Sequence, residues 1–254
     1  MGSLSNPLSD NHNHILYEDL HSMMLAAKLK KLKSISVTEH ISQFKKVRAS
    51  VKFGSTHSNG RIFSDFEEYL LEFENLADQP FPIKRGLEVD YIESQKGIVA
   101  KFVKETKWDI LLASVHELSD GTDVETHGLD ETLSEKRWKD YIELEKSALK
   151  SDFIDFDVLT HPIRLARSSR LLPSDLDQQL VGLAELAKKQ GKALELNGKD
   201  LVRDYFLVER LASACSKAHC KVSFGSDAHH PAEVARGYEK AQSLANRFGL
   251  EFYH

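Results

Sequence analysis

The run Ile35-Ser36-Val37-Thr38-Glu39-His40 begins apolar and β-branched and ends on a carboxylate and an imidazole. Six more apolar runs end on histidines, carboxylates or a Glu-x-Asn. They are Leu8-Ser9-Asp10-Asn11-His12-Asn13-His14, Gly86-Leu87-Glu88-Val89-Asp90 and Ile110-Leu111-Leu112-Ala113-Ser114-Val115-His116. The others are Phe156-Asp157-Val158-Leu159-Thr160-His161-Pro162, Ala193-Leu194-Glu195-Leu196-Asn197 and Val222-Ser223-Phe224-Gly225-Ser226-Asp227-Ala228-His229-His230. Short apolar stretches of this kind predict strands of a buried parallel sheet. If each strand delivers ligand-type residues at its C-terminal end, a ring is the simplest geometry. A β/α barrel gathers those ends into one mouth, where its active sites lie. The prediction is an α/β, TIM-like barrel with seven visible strands, an eighth being unseen if present, and a metal-dependent hydrolase site.

Helical patterns fill the gaps, as parallel βαβ units require. They are expected over 17–32, 63–77, 94–106, 134–149, 174–189, 205–218 and 231–248. Ser64-Asp65-Phe66-Glu67 reads as a capping box. Ser174 reads as a cap and Gly191 as a terminator. Pro231 suits the first turn of the last helix. Residues 41–62 are polar, basic and Gly/Ser-containing, and they follow a ligand-bearing strand, so a lid over the mouth is expected.

The 254 residues, 41% hydrophobic, suit one barrel domain. A net charge of −5 gives no general electrostatic case for nucleic acid. It leaves room for a small anionic substrate, because metal charge dominates locally. Cys215 and Cys220 are too few for a disulfide framework and read as the reduced thiols of a cytoplasmic protein. Residues 1–9 lack the basic and apolar regions of a signal peptide, and no apolar run approaches the ~20 residues of a membrane span.

His12 and His14 stand at i and i+2, so on a strand both imidazoles face one cation. A lone His-x-His is a weak signal, but Glu88, His116, His161 and Asp227-x-His229 recur at other strand ends. Imidazoles mixed with carboxylates suit Zn²⁺, Mn²⁺ or iron better than an all-oxygen cage for Ca²⁺ or Mg²⁺. There are more candidate ligands than one tetrahedral site needs, and a carboxylate such as Glu88 can bridge two ions. His57, His127, His219 and His254 read as surface residues, and His230 as turned away from the cluster.

His12-x-His14, Thr38-Glu39-His40, Gly86-x-Glu88-Val89-Asp90-Tyr91, Ser114-Val115-His116, His161 and Ser226-Asp227-Ala228-His229 resemble, as an ordered set, the motifs of the PHP (polymerase and histidinol phosphatase) family. The segment from Phe66 to Ile92 resembles its histidinol-phosphate phosphatase branch. The resemblance implies a distorted seven-stranded barrel with two or three divalent ions, Zn, Mn or Fe. It implies His12, His14, Glu88 and Asp227 at a first ion, Glu88, His116 and His161 at a second, and His40 with His229 at a third. It also implies a phosphomonoesterase acting on a small phosphorylated substrate, histidinol phosphate above all, with His229 and Asp227 in the catalytic machinery and Arg203 beside the phosphate. Arg164 and Arg167 are further candidates, since a guanidinium fork makes paired bonds to phosphate. The pattern departs from the family at Leu20, where many members carry a histidine that serves the third ion. Competing readings are a nucleotide or oligonucleotide phosphoesterase of the same family and a non-catalytic metal-binding module. A further rival is a C–N hydrolase on another barrel, which would lean on a strand-end lysine.

Overall fold

The computed structural model describes residues 9–54 and 60–253. Six strands form one parallel sheet in sequence order: β1 (Ile35–His40), β2 (Ile83–Asp90), β3 (Ile110–Ser114), β4 (Val158–Leu159), β5 (Ala193–Asn197) and β6 (Val222–Gly225). Around them run α1 (Leu20–Leu29), α2 (Lys45–Arg48), α3 (Phe66–Glu74), α4 (Lys96–Val103) and α5 (Ser134–Lys150). After β4 follow α6 (Leu176–Lys189), α7 (Gly198–Arg203), α8 (Tyr205–Ala218) and α9 (Tyr238–Phe248).

The register separates two faces. Ile110, Leu112, Val158 and Ala193 form a small apolar cluster on one face, in register with Thr38–Gly86 and His40–Glu88 one layer after another. The opposite face carries Val37, Leu87, Val89, Ala113, Leu194, Leu196 and Phe224, which join the large core packed against the helices. The ligand-bearing side chains therefore share the face of the small cluster and sit above it. Gly86 belongs to that crowded face. A Cβ there would lie 2.5 Å from Thr38 Cγ2 and 2.7 Å from Ile110 Cγ2.

The expected first strand departs from regularity. Asp10 and Asn13 make isolated parallel bridges to Ile35 of β1 and to Ala228 beyond β6. Ser36 N donates to Asp10 O (2.8 Å) and Thr38 N to Asn13 O (2.8 Å), so three steps on one side face two on the other. That extra residue is a bulge, and it interrupts the ladder. On its other side Asn11 N donates to Phe224 O (2.9 Å) and His14 N to Ala228 O (2.8 Å). Both edges of the six-stranded sheet thus bond to one segment.

The helices lie where the periodicity puts them; α8 matches its expected bounds, α5 runs one residue further to Lys150, and the others are shorter. The cap of α3 lies one residue beyond the expected Ser64–Glu67 box: the Asp65 carboxylate accepts from Glu68 N, and the Glu68 carboxylate accepts from Ser64 N. Asp175, not Ser174, is the N-cap of α6, and Gly191 ends that helix region with φ of 69°. Pro231 opens only a 3₁₀ turn, Pro231–Glu233. Ala235 and Gly237 then take positive φ (61° and 79°), which breaks the helix and delays α9 to Tyr238. The short α2 and α7 carry too little periodicity to be read from sequence. Of the expected lid, residues 41–54 and 60–62 are described; Val51 and Phe44 are buried in the large core, and Phe44 bridges Phe63. His57 and His254 lie outside the described residues, as do residues 1–8. Among the described residues no helix is long and apolar enough to cross a membrane.

Candidate metal centre

Glu88, near the end of β2, is fully buried at the middle of a ring of imidazoles. Its Oε2 lies 2.7 Å from His40 Nδ1, 3.4 Å from His12 Nε2 and 3.7 Å from His14 Nε2. Its Oε1 lies 3.1 Å from His161 Nε2 and 3.4 Å from His116 Nε2. One carboxylate therefore faces two sets of nitrogens, one with each oxygen. The same His14 nitrogen also faces Asp227, whose Oδ1 lies 3.6 Å from Nε2. The groups His12–His14–Asp227, His40–Glu88–His116 and His14–His40–His229 each bring three ligand atoms within 4.8 Å of one another.

Outer carboxylates hold three of these rings by the other nitrogen. His12 Nδ1 lies 2.8 Å from Glu195 Oε1, His14 Nδ1 3.3 Å from Glu39 Oε1, and His116 Nδ1 2.5 Å from Asp90 Oδ1. A carboxylate on Nδ1 fixes the tautomer and aims Nε2 at a cation. Glu195 does more, since its Oε2 accepts from His161 N (2.8 Å) and Asn197 Nδ2 (3.0 Å). His161 and Asp227 have φ of 34° and 55°, left-handed values that non-glycine residues seldom adopt. Such backbone persists where surrounding bonds dictate it. Here they are Glu195 on His161 N and the His12 carbonyl on Asp227 N (2.8 Å).

The nitrogens His12 Nε2 and His14 Nε2 are buried and make no hydrogen bond. Buried polar atoms are rarely left so, and two imidazole nitrogens aimed into one pocket suit a cation. The donor set of imidazoles around carboxylates fits a borderline transition-metal ion. The electrostatics agree. Burial opposes charge on Glu88, but His40, His12 and His116 outweigh it and hold the carboxyl well below its usual range. Burial also opposes protonation of His12, yet Glu195, Glu88 and Asp227 raise it well above an ordinary histidine. Burial, with Arg164 adding, pushes His161 down to about 3, so that ring is a neutral donor.

Beside the ring lies a cationic wall. Arg164 Nη2 donates to Asp227 Oδ2 (2.7 Å), and Lys199 Nζ lies 2.8 Å from Asp227 Oδ1 and 3.0 Å from His229 Nδ1. Asn197 at the end of β5 caps α7 by accepting from Lys199 N, which brings Lys199 to the same pocket. The pocket is also lined by Arg164, Asp123 and Glu125. Lys199, Asp123 and Glu125 are not legible as site residues in the sequence. Lys199 had a signal, since it stands two residues after a Glu-x-Asn strand end.

All eight residues expected to hold metal, His12, His14, His40, Glu88, His116, His161, Asp227 and His229, come together here. Arg203 does not. It is exposed at the end of α7 and pairs with Asp204 at 3.7 Å, away from the pocket lining. The arginines at the pocket are Arg164 and, one layer behind, Arg167. His230 points outward to Glu18 (3.3 Å). Leu20 is buried in the large core, and His21 is exposed.

Parallel strands that deliver histidines and carboxylates to one pocket at their C-terminal ends define a β/α protein built to hold cations. The PHP domain matches residues 12–199, and the chain belongs to that family. It is 27% identical over 208 residues to a probable histidinol-phosphatase of Thermotoga maritima, spanning 77% of each chain. Its fold is similar to the crystal structure of histidinol phosphate phosphatase from Lactococcus lactis complexed with zinc, L-histidinol and phosphate. That likeness has a TM-score of 0.78 and 20% identity, over 96% of this chain and 95% of that one. It is also similar to a putative histidinol phosphatase from Listeria monocytogenes, with a TM-score of 0.74 and 18% identity, over 91% and 99% of the two chains.

Proposed function

We propose that this chain is a metal-dependent phosphomonoesterase that hydrolyses L-histidinol phosphate to L-histidinol and phosphate, a cytoplasmic step of histidine biosynthesis. The observation that carries the reading is Glu88, whose two oxygens face two separate sets of imidazoles beside the Arg164 guanidinium. The whole chain acts as one domain, with Asp10–His14 as the seventh stave of a distorted barrel. The substrate follows from the Thermotoga and Lactococcus relatives, by family likeness.

In this reading His12, His14, Glu88 and Asp227 hold one ion, and Glu88, His116 and His161 another, with His40 beside Glu88. His229 completes a third group with His14 and His40. Divalent ions of the zinc, manganese or iron type supply an activated water and neutralise phosphoryl charge when bound. The protein's own part is positioning. Arg164 offers a fixed fork to a phosphoryl oxygen, and its Asp200 and Asp227 partners hold it in place. Lys199 adds a cation at the pocket wall, held between Asp227 and His229, and in this reading gives the departing alkoxide its proton, while burial with His14 and Lys199 keeps His229 neutral, as a ligand rather than an acid.

The test is phosphate release from histidinol phosphate beside sugar phosphates, nucleotides and an oligonucleotide. The protein is stripped, then reloaded with Mn²⁺, Zn²⁺ or Fe²⁺, and its metal content is measured. Preference for histidinol phosphate, lost on chelation and in His116→Ala, is the expected result. Metal retained with no monoesterase activity would overturn the proposal.

A further inference from the structure

Arg164 and Arg167 form a pair with two unlike neighbours. On the buried side stands Asp200, which accepts from Arg164 Nε (3.3 Å) and Arg167 Nη2 (2.9 Å) and is 1% exposed. On the pocket side stands Glu125. Its single atom Oε1 accepts from Arg164 Nη1 (2.7 Å) and from Arg167 Nη1 (2.9 Å). Two guanidinium N–H groups converging on one anionic oxygen are the arrangement a phosphoryl oxygen takes on an arginine pair. The arginine side chains are only 5% and 11% exposed, whereas that of Glu125 is 42% exposed. The arginines are fixed, and the carboxylate has solvent to move into.

We propose that Glu125 holds the phosphate seat until an incoming phosphate dianion displaces it from Arg164 and Arg167. This rests on the phosphatase reading and adds a specificity role to it. A phosphate dianion and a carboxylate on the same two nitrogens repel each other, so both cannot hold the seat. The dianion carries the larger charge and wins; a neutral or singly charged group does not. Glu125 thus sets a threshold that only a phosphate-like charge crosses. The carboxyl group is held down to about 2 against the opposing effect of burial, by Arg164 and then Arg167. It leaves by rotation rather than by protonation. The arginines keep their orientation without it, because Asp200 holds both and Asp227 holds Arg164.

Titration calorimetry of inorganic phosphate into the metal-loaded protein tests the idea. Wild type is compared with Glu125→Gln and Glu125→Ala, and each variant's melting temperature is recorded. Removing a competing anion from two charged hydrogen bonds raises phosphate affinity by roughly tenfold. The KM for a phosphomonoester falls in parallel. If Glu125 merely orients the arginines, phosphate affinity falls in both variants. Lower or unchanged affinity overturns the proposal, as does failure of both variants to fold, which would make Glu125 a structural clamp. Because binding is read without turnover, this outcome is separate from the phosphatase test. Tighter phosphate binding in a protein with no monoesterase activity would refute that activity and retain the displaced carboxylate.

Discussion

Glu195 Oε1 lies 2.8 Å from His12 Nδ1, and the same carboxylate accepts from the backbone N–H of His161. One side chain on β5 therefore sets the ring of one candidate ligand and the strained backbone of another, 34 residues away in the chain. Partners of this kind typically change metal affinity by about 10–100-fold when mutated. Glu195→Gln should lose affinity in that range, with the loss read by competition against a chromophoric chelator. Unchanged affinity would mean that His12 is aimed by packing alone.

Gly225 is what lets Glu195 reach. A Cβ at that position would overlap both Glu195 Oε1 and the Cβ of His12. Gly225→Ala should lower both metal retention and melting temperature, since neither neighbour is a free-swinging chain end. Gly97, in the exposed first turn of α4, gives the contrast, with no atom within 4 Å of its added Cβ. Gly97→Ala should stabilise by about 0.4–1 kcal/mol through the unfolded chain. Thermal melts of both variants check the pair, and equal effects would refute the packing argument.

Period and chemistry carried much of this site into the sequence. Each strand run ends in a polar side chain that no buried strand needs, so His40, Glu88, His116, His161 and Asp227 declare themselves one at a time. The outer carboxylates Glu39 and Asp90 sit inside the same motifs for the same reason. What stays hidden depends on tertiary direction. Arg203 and Lys199 both belong to α7, and only the Asn197 cap decides which of them faces the pocket. Glu125 lies in a loop without periodicity, and its role comes from arginines 39 and 42 residues later. The six regular strands were legible as apolar runs. The bulge at Asp10–His14 was not, because it arises from how two edges share one segment.

His116 and Asp90 make a prediction about protons. Burial opposes the charge on His116, but Asp90 and then Glu88 outweigh it and raise the pKa well above the ordinary value. The metal-free site therefore carries a proton on His116 at pH 7. A metal must displace it, so binding releases protons and strengthens as pH rises. Calorimetry in buffers of different ionisation enthalpy should show at least one proton released per site filled, and fewer in Asp90→Asn. Identical proton counts in the two proteins would remove Asp90 from this account.

Glu145 on α5 is buried beside Tyr141, whose hydroxyl donates to His161 O and leaves neither carboxyl oxygen a well-formed hydrogen bond, and burial, against the smaller effect of Tyr141, raises its pKa well above the ordinary value of 4.5. The folded protein then holds a proton that the unfolded chain gives up. Where the folded state binds more protons, stability falls as pH rises, here from the unfolded value near 4.5 upward. Glu145→Met keeps the volume and removes the ionisable group. It should stabilise the fold by about 1–3 kcal/mol at pH 8, the usual cost of an unsatisfied buried polar group. At pH 5 the gain should be smaller, because pH lies only slightly above the unfolded value and the linked penalty keeps growing up to pH 8. Urea unfolding of wild type and variant at the two pH values, with metal content matched, gives the difference directly. A gain independent of pH would locate the cost in packing rather than in ionisation. A loss at both would mean that the carboxyl has a partner which holds it in place.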